Sequence, residues 1–202
     1  MAPRHEITRA DILPLAEYAR LRTQKRKDLV ALKKNRRLAV GPIATFSFEN
    51  YETMWQQIHE MLYIEKGGEE QIADELRAYN PLIPKGHELV ATVMFEIDDP
   101  VRRHEFLSRL GGVENAMIIN LIYESGCEGE SILGIPEADL DRTNDSGKAS
   151  SVQFVHFPFT LSQIERFRRP NARVTVGIGH PTYGHLAYVP ETVRAALAED
   201  FD

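Results

Sequence analysis

The stretch HELVATVMFEIDD, residues 87–99, alternates along most of its length. Leu89, Ala91, Val93, Phe95 and Ile97 fall on one side of an extended chain, and a period of two marks a strand with a buried face. The other side is not polar either, since it carries Val90 and Met94. A strand that is apolar on both sides needs cover on both sides. This segment therefore predicts a sheet with further elements packed on each face.

Downstream, Pro100 sits where a helix tolerates its missing N–H. It opens VRRHEFLSRLGG, a helix stopped at Gly111-Gly112. AMIINLIYES is long and apolar enough for a central strand. GCEGESILGIPEADLDRTNDSGKASS reads as a loop-like excursion, acidic and glycine-rich, with residues 139–150 its expected mobile part. VQFVHFPF is a strand, and Thr160 caps the helix TLSQIERFRR. RVTVGIGHP and HLAYV form two strands joined by PTYG, and PETVRAALAEDF is a closing helix.

Upstream, TRADILPLAEYARLR reads as a short helix with Thr8 as its cap and Pro14 limiting its first turn. A longer helix is expected over residues 23–35. RLAVGPIATFSFEN changes period and predicts strands broken at Gly41-Pro42. Asn50 caps a helix that Gly67-Gly68 end, and EEQIADELRAYN is another. The expected class is α+β: a helix-rich N-terminal section packed on a mixed β-sheet, with further helices. Residues 1–202 read as one domain. The alternative is a helical section, 1–82, and a mixed-sheet section, 83–202.

With 202 residues, 43% of them hydrophobic, the chain can bury a proper core. It has no apolar run approaching the roughly 20 residues that span a bilayer. No apolar segment follows the charges at its start, so a secretory signal is not expected. The single Cys127 excludes an internal disulfide and a cysteine-held zinc or iron–sulfur site. Its acidic neighbours raise a thiol pKa and make it a poor nucleophile. These features predict a cytoplasmic protein with no membrane contact. Charge is uneven: residues 20–37 hold nine basic residues and one acid, leaving 15 basic against 29 acidic elsewhere. An acidic body repels a duplex, so nucleic acid is disfavoured. The basic run is expected to dock on the protein's own acids.

In NYETMWQQIHEMLYIE, residues 50–65, helical spacing puts Tyr51, Met54, Trp55, Ile58, Met61 and Leu62 on one buried stripe. Glu65 falls on that stripe by periodicity. Glu52, Gln56 and His59 face away from it. Glu49 precedes the helix and Glu60 flanks the stripe. A cation from residues 20–37 is expected to meet Glu60 or Glu65. A ferritin-like di-iron site is excluded, because no histidine has a glutamate three residues before it. A looser acidic site would use Glu49, Glu60 and Glu65. GIGHPTYGH is the other candidate: His180 and His185 bracket a turn, and His156 from a neighbouring strand would complete a transition-metal site. Tyr183 could exchange a proton there. Arg36 and Arg37 are candidates for binding an anion. No dinucleotide, P-loop or nucleophile-elbow motif is present.

Taken together, ITRADILPLAEYARLR, ALKKNRRLAVGP, TFSFENYETMWQQIHEMLYIEKGG, AYNPLIPKGHELVATVMFEI and HPTYGHLAYVPETVRAALAEDF resemble an uncharacterised bacterial domain-of-unknown-function family. The resemblance covers nearly the whole chain. Genes of that family often lie beside those for rubrerythrin and an iron–sulfur oxidoreductase. The resemblance thus implies a place near peroxide handling or electron transfer, with a rubrerythrin-like or iron–sulfur redox protein as partner. It supplies no mechanism. The reading is a non-catalytic accessory or interaction protein, with homo-oligomerisation open. The alternative is a metal-dependent enzyme, or metal-binding protein, using the turn at 180–185.

Overall fold

The structure is a computed structural model, and it describes all residues except 1–3, 123–128, 138–142 and 144–146. Cys127 and most of the 139–150 segment lie outside the described residues. In chain order the elements are α1 Leu15–Lys33, β1 Arg37–Val40, β2 Ala44–Glu49, α2 Tyr51–Glu65, α3 Gly68–Tyr79, β3 Glu88–Phe95 and α4 Pro100–Leu107. Then come β4 Met117–Ile122, β5 Gly129–Leu133, β6 Ile135–Pro136, β7 Val152–Pro158, α5 Leu161–Arg168, β8 Arg173–His180, β9 Tyr183–Tyr188 and α6 Glu191–Ala198.

The class is α+β, as expected. The sheet is two sheets rather than one mixed one: β1-β2-β3-β7-β6 and β5-β4-β8-β9, with every pairing between these strands antiparallel. The turns after β1 and β8 are too short for a parallel crossover, which needs a dozen residues or more. The N-terminal section is also less helical than expected, since β1 and β2 extend the sheet that holds β3 and β7. Two strands were hidden in the glycine-rich excursion, β5 and β6. Both are short and lie at sheet edges, where alternation is weakest as a signal.

Strand β3 explains the layering. Leu89, Ala91, Val93 and Phe95 enter one large core with Phe46 and Phe48 of β2 and Val155 and Phe157 of β7. That core is closed by the inner face of the second sheet, through Met117, Ile119, Leu121, Val174, Val176 and Ile178, with α5 and α6 contributing at its margin. Val90, on the reverse of β3, packs into a second core with Met54 and Ile58 of α2 and Ile72 of α3. The order is therefore helices, five-stranded sheet, four-stranded sheet. Both sides of β3 are covered, as its sequence required.

Local signals account for the helix ends. Asn50 Oδ1 accepts from the Thr53 N–H at 3.0 Å, and Thr53 Oγ1 accepts from the Asn50 N–H at 2.9 Å. Helix α2 stops on Lys66, which takes the left-handed conformation (φ 58°) in place of the expected glycine. Thr8 caps a single 3-10 turn, Arg9–Asp11, and Pro14 then stands as the N-cap of α1, which runs on without a break through residues 23–33. Among the described residues no helix is long and apolar enough to cross a membrane.

Candidate functional site

Helix α2 carries more than its stripe. Gln56 and His59, expected to face away, are only 3% and 1% exposed. Helix α1 covers that flank, so α2 is buried on two sides and periodicity reports only the apolar one. Glu60 sits at the centre of the α1–α2 contact. It accepts from Arg22 Nε and Nη2, both at 2.8 Å, and from the Tyr18 hydroxyl at 2.7 Å. Gln56 donates to the same hydroxyl. The basic run thus meets Glu60, as its charge pattern predicted. The Arg22 guanidinium and the Tyr18 hydroxyl hold the Glu60 carboxyl below the usual range. Burial, then Glu60, pushes the Tyr18 hydroxyl well above its own. Tyr18, Gln56 and His59 were missed by sequence reading. The available signal was the i,i+4 spacing of Gln56 with Glu60 and of Tyr18 with Arg22.

Glu65 is exposed, contrary to its place on the stripe, and accepts from Gln71 at 2.9 Å. It stands beyond the last residue that the sheet and α1 cover. Glu49 is buried at the end of β2, where it accepts from Thr92 Oγ1 at 2.7 Å. Its position just before the α2 N-terminus suits a carboxylate. Glu49, Glu60 and Glu65 each have separate partners and form no joint site.

The three histidines are not brought together. His180 donates from Nε2 to the Gly111 carbonyl at 3.2 Å and accepts the Thr182 N–H at Nδ1, also 3.2 Å. His185 donates to the Gly184 carbonyl at 2.5 Å. His156 lies in the other sheet, between Glu88 at 3.0 Å and Glu137 at 2.8 Å. Burial lowers its pKa, but the two carboxylates outweigh burial and the net shift is upward. Among the described residues no group of three or more histidine, cysteine or acidic side chains is placed to hold a metal. Tyr183 is a structural anchor: its hydroxyl donates to the Val40 carbonyl at 2.7 Å and accepts the Ile43 and Ala44 N–H groups at 3.2 Å.

Arg36 is not a surface anion site. It is 2% exposed and donates to the Phe48 and Glu49 carbonyls at 3.0 and 3.1 Å and to the Asp200 carboxylate. Burial pushes Asp200 up to about 6 against the pull of this guanidinium. Arg37 is exposed and reaches Ser47 Oγ at 3.2 Å.

What remains open is a surface. In an antiparallel sheet covered on one side, the other side is normally polar. The outer face of the four-stranded sheet instead mixes an apolar row with a polar one. Register places Leu133, Ile118, Gly177 and Leu186 in one row and Ser131, Asn120, Thr175 and Tyr188 in the next. Leu133, Leu186 and Tyr188 are 66%, 65% and 70% exposed. Leu186 lies over Gly177, where a Cβ would come within 2.3 Å of it. The middle row is tied across: Ser131 Oγ donates to Asn120 Oδ1 at 2.8 Å, and Asn120 Nδ2 donates to Thr175 Oγ1 at 3.1 Å. With those polar groups already paired, the face offers apolar contact at little desolvation cost. A second opening, a cavity of about 300 Å³, lies between the N-terminal segment, α1, α2 and α3.

Comparison with known proteins agrees on the fold and is silent on activity. The family model described as "Protein of unknown function (DUF3501)" matches residues 6–201. A crystal structure of a novel protein of unknown function from Burkholderia pseudomallei K96243 superposes with a TM-score of 0.88 at 34% identity, covering 97% of this chain and 99% of that one. No curated protein matches the chain.

Proposed function

We propose that this chain, which belongs to the DUF3501 family of proteins of unknown function, is a non-catalytic accessory protein that docks a redox partner through the open face of its four-stranded sheet. The observation that carries the reading is that face, with Leu133, Leu186 and Tyr188 exposed around a paired polar row. Support comes also from the side chains that sequence nominated for chemistry. Glu60, His156, His180, Tyr183 and Arg36 are each engaged by internal partners. The partner class follows from the family resemblance: a rubrerythrin-like or iron–sulfur protein of a peroxide-stress or electron-transfer system, met in the cytoplasm.

The test uses the purified chain with a rubrerythrin-type protein and an iron–sulfur oxidoreductase from the same organism. Binding is measured by calorimetry under reducing, anaerobic conditions. The expected result is saturable binding to one of them, lost in the double variant Leu186→Lys, Tyr188→Glu. Binding to neither overturns the reading, as does binding that the double variant leaves intact. Sedimentation of the chain alone is the companion measurement. A dimer that the same double variant dissociates would assign the face to a second copy instead.

A further inference from the structure

We propose that the cavity between the N-terminal segment and helices α1, α2 and α3 is a binding site for a small apolar carboxylic acid. This goes beyond the docking reading and is independent of it, because the cavity lies among the helices and the open face belongs to the four-stranded sheet.

The walls come first. Ile12, Leu13 and Leu15 close one side, and Leu62 of α2 and Ile72 of α3 the other. Tyr18 and His59 also line the cavity, with their ring centroids 4.8 Å apart. Both rings have their polar tips occupied elsewhere. The Tyr18 hydroxyl is held by Glu60 and Gln56. His59 accepts the Leu13 N–H at Nε2, 3.0 Å, and donates from Nδ1 to the Trp55 carbonyl at 2.7 Å. What the rings can offer an occupant is therefore carbon. A volume of about 300 Å³ is at the small end of ligand sites. It is room for about ten waters at roughly 30 Å³ each, yet such waters would find few partners on these walls. An apolar body of similar size would release them and bury its own surface.

The mouth differs from the walls. Arg9, Lys66 and Glu69 stand there, with Gly68 at the start of α3. Arg9 is already neutralised, holding Glu69 through Nε at 2.9 Å and Nη2 at 2.6 Å. Lys66 has no ion-pair partner among the described residues, so one positive charge is left over at the rim. The left-handed turn at Lys66 joins α2 to α3 and places the residue there. Helix α3 starts beside it at Gly68, and Glu69 and Glu70 in its first turn already answer its positive end, so the surplus charge is that of Lys66. An apolar cavity with one unbalanced cation at its mouth matches a ligand with an apolar body and one carboxylate. A neutral analogue would fill the walls and leave Lys66 unanswered.

The chain carries its own reporter. Trp55 is the single tryptophan, and its ring centroid lies 3.8 Å from that of His59 on the cavity wall. Octanoate and benzoate are titrated against the full chain, followed by tryptophan fluorescence and by calorimetry, with 1-octanol and benzyl alcohol as uncharged counterparts. Saturable binding of a carboxylate is expected, with the matching alcohol about tenfold weaker or more. Lys66→Ala should weaken the acid by a similar factor and leave the alcohol unchanged. Ile72→Phe, which fills the cavity, should abolish both. The proposal is overturned if neither acid binds by millimolar concentration, if acid and alcohol bind alike, or if Ile72→Phe binds like the parent. Lys66 is exposed, so its variant folds and decides the charge argument even where Ile72→Phe does not fold.

Discussion

Replacing Glu60 with alanine tests the contact that joins the basic helix α1 to α2. The pair is partly buried, with side-chain exposures of 28% for Arg22 and 21% for Glu60. Its ionic part faces solvent on the arginine side, is screened there, and is the smaller contribution. The larger effect falls on Tyr18, which is 1% exposed and donates to Glu60. Leaving that buried hydroxyl without an acceptor costs about 1–3 kcal/mol. Glu60→Ala should then destabilise by about 1–3 kcal/mol. Tyr18→Phe removes the orphaned hydroxyl, so the double variant should be more stable than the sum of the singles by about 1 kcal/mol or more. Urea unfolding, followed by the fluorescence of Trp55 and by far-UV circular dichroism, measures all three. The pH dependence has a fixed sign. The folded Glu60 carboxyl is depressed, chiefly by its Arg22 hydrogen bonds. Its contribution is therefore present above the ordinary glutamate range and lost as pH falls through the folded value. The gap between wild type and Glu60→Ala should close in acid. A Glu60→Ala loss below about 0.5 kcal/mol, or additivity with Tyr18→Phe, would refute the network.

The His156 site should show the opposite pH sign. Its pKa is raised in the fold by Glu88 and Glu137 against the effect of burial, so its contribution is full below the ordinary histidine pKa and disappears as pH rises through the folded one; an NMR titration placing it at or below that ordinary value would contradict the geometry. Arg36→Met should cost about 3–5 kcal/mol, because it strands Asp200 in the interior, and adding Asp200→Leu should restore much of the loss in thermal melts. Tyr183→Phe removes the hydroxyl that ties the β1–β2 turn to the β8–β9 hairpin, and amide exchange at Ile43 and Ala44 should accelerate while helix α2 is unaffected.

The sequence by itself determined the element types and the need for layers. The alternation of Leu89, Ala91, Val93 and Phe95, with Val90 and Met94 behind them, required cover on both sides of one strand, and the caps at Asn50 and Thr160 marked helix starts that the structure keeps. These signals are local: a period or a cap is set by residues within about one turn or one pleat of each other. The resemblance, too, was legible over nearly the whole chain. What only the tertiary structure decided is which polar groups are buried and which apolar ones are not. Arg36 is an interior residue because Asp200, 164 positions away, closes over it, and Tyr183 became an anchor because Val40, 143 positions away, presents a carbonyl to it. Gln56 and His59 are interior because α1 lies on their side of α2, while Glu65, on the same periodic stripe as Ile58, is exposed because the helix outruns its cover. The open face follows the same logic. Leu133, Leu186 and Tyr188 belong to strands apart in sequence, and only the pairing of β5 and β9 around β4 and β8 sets them on one face, at its two edges. Burial depends on what distant segments place above a residue, and no period within one segment encodes that.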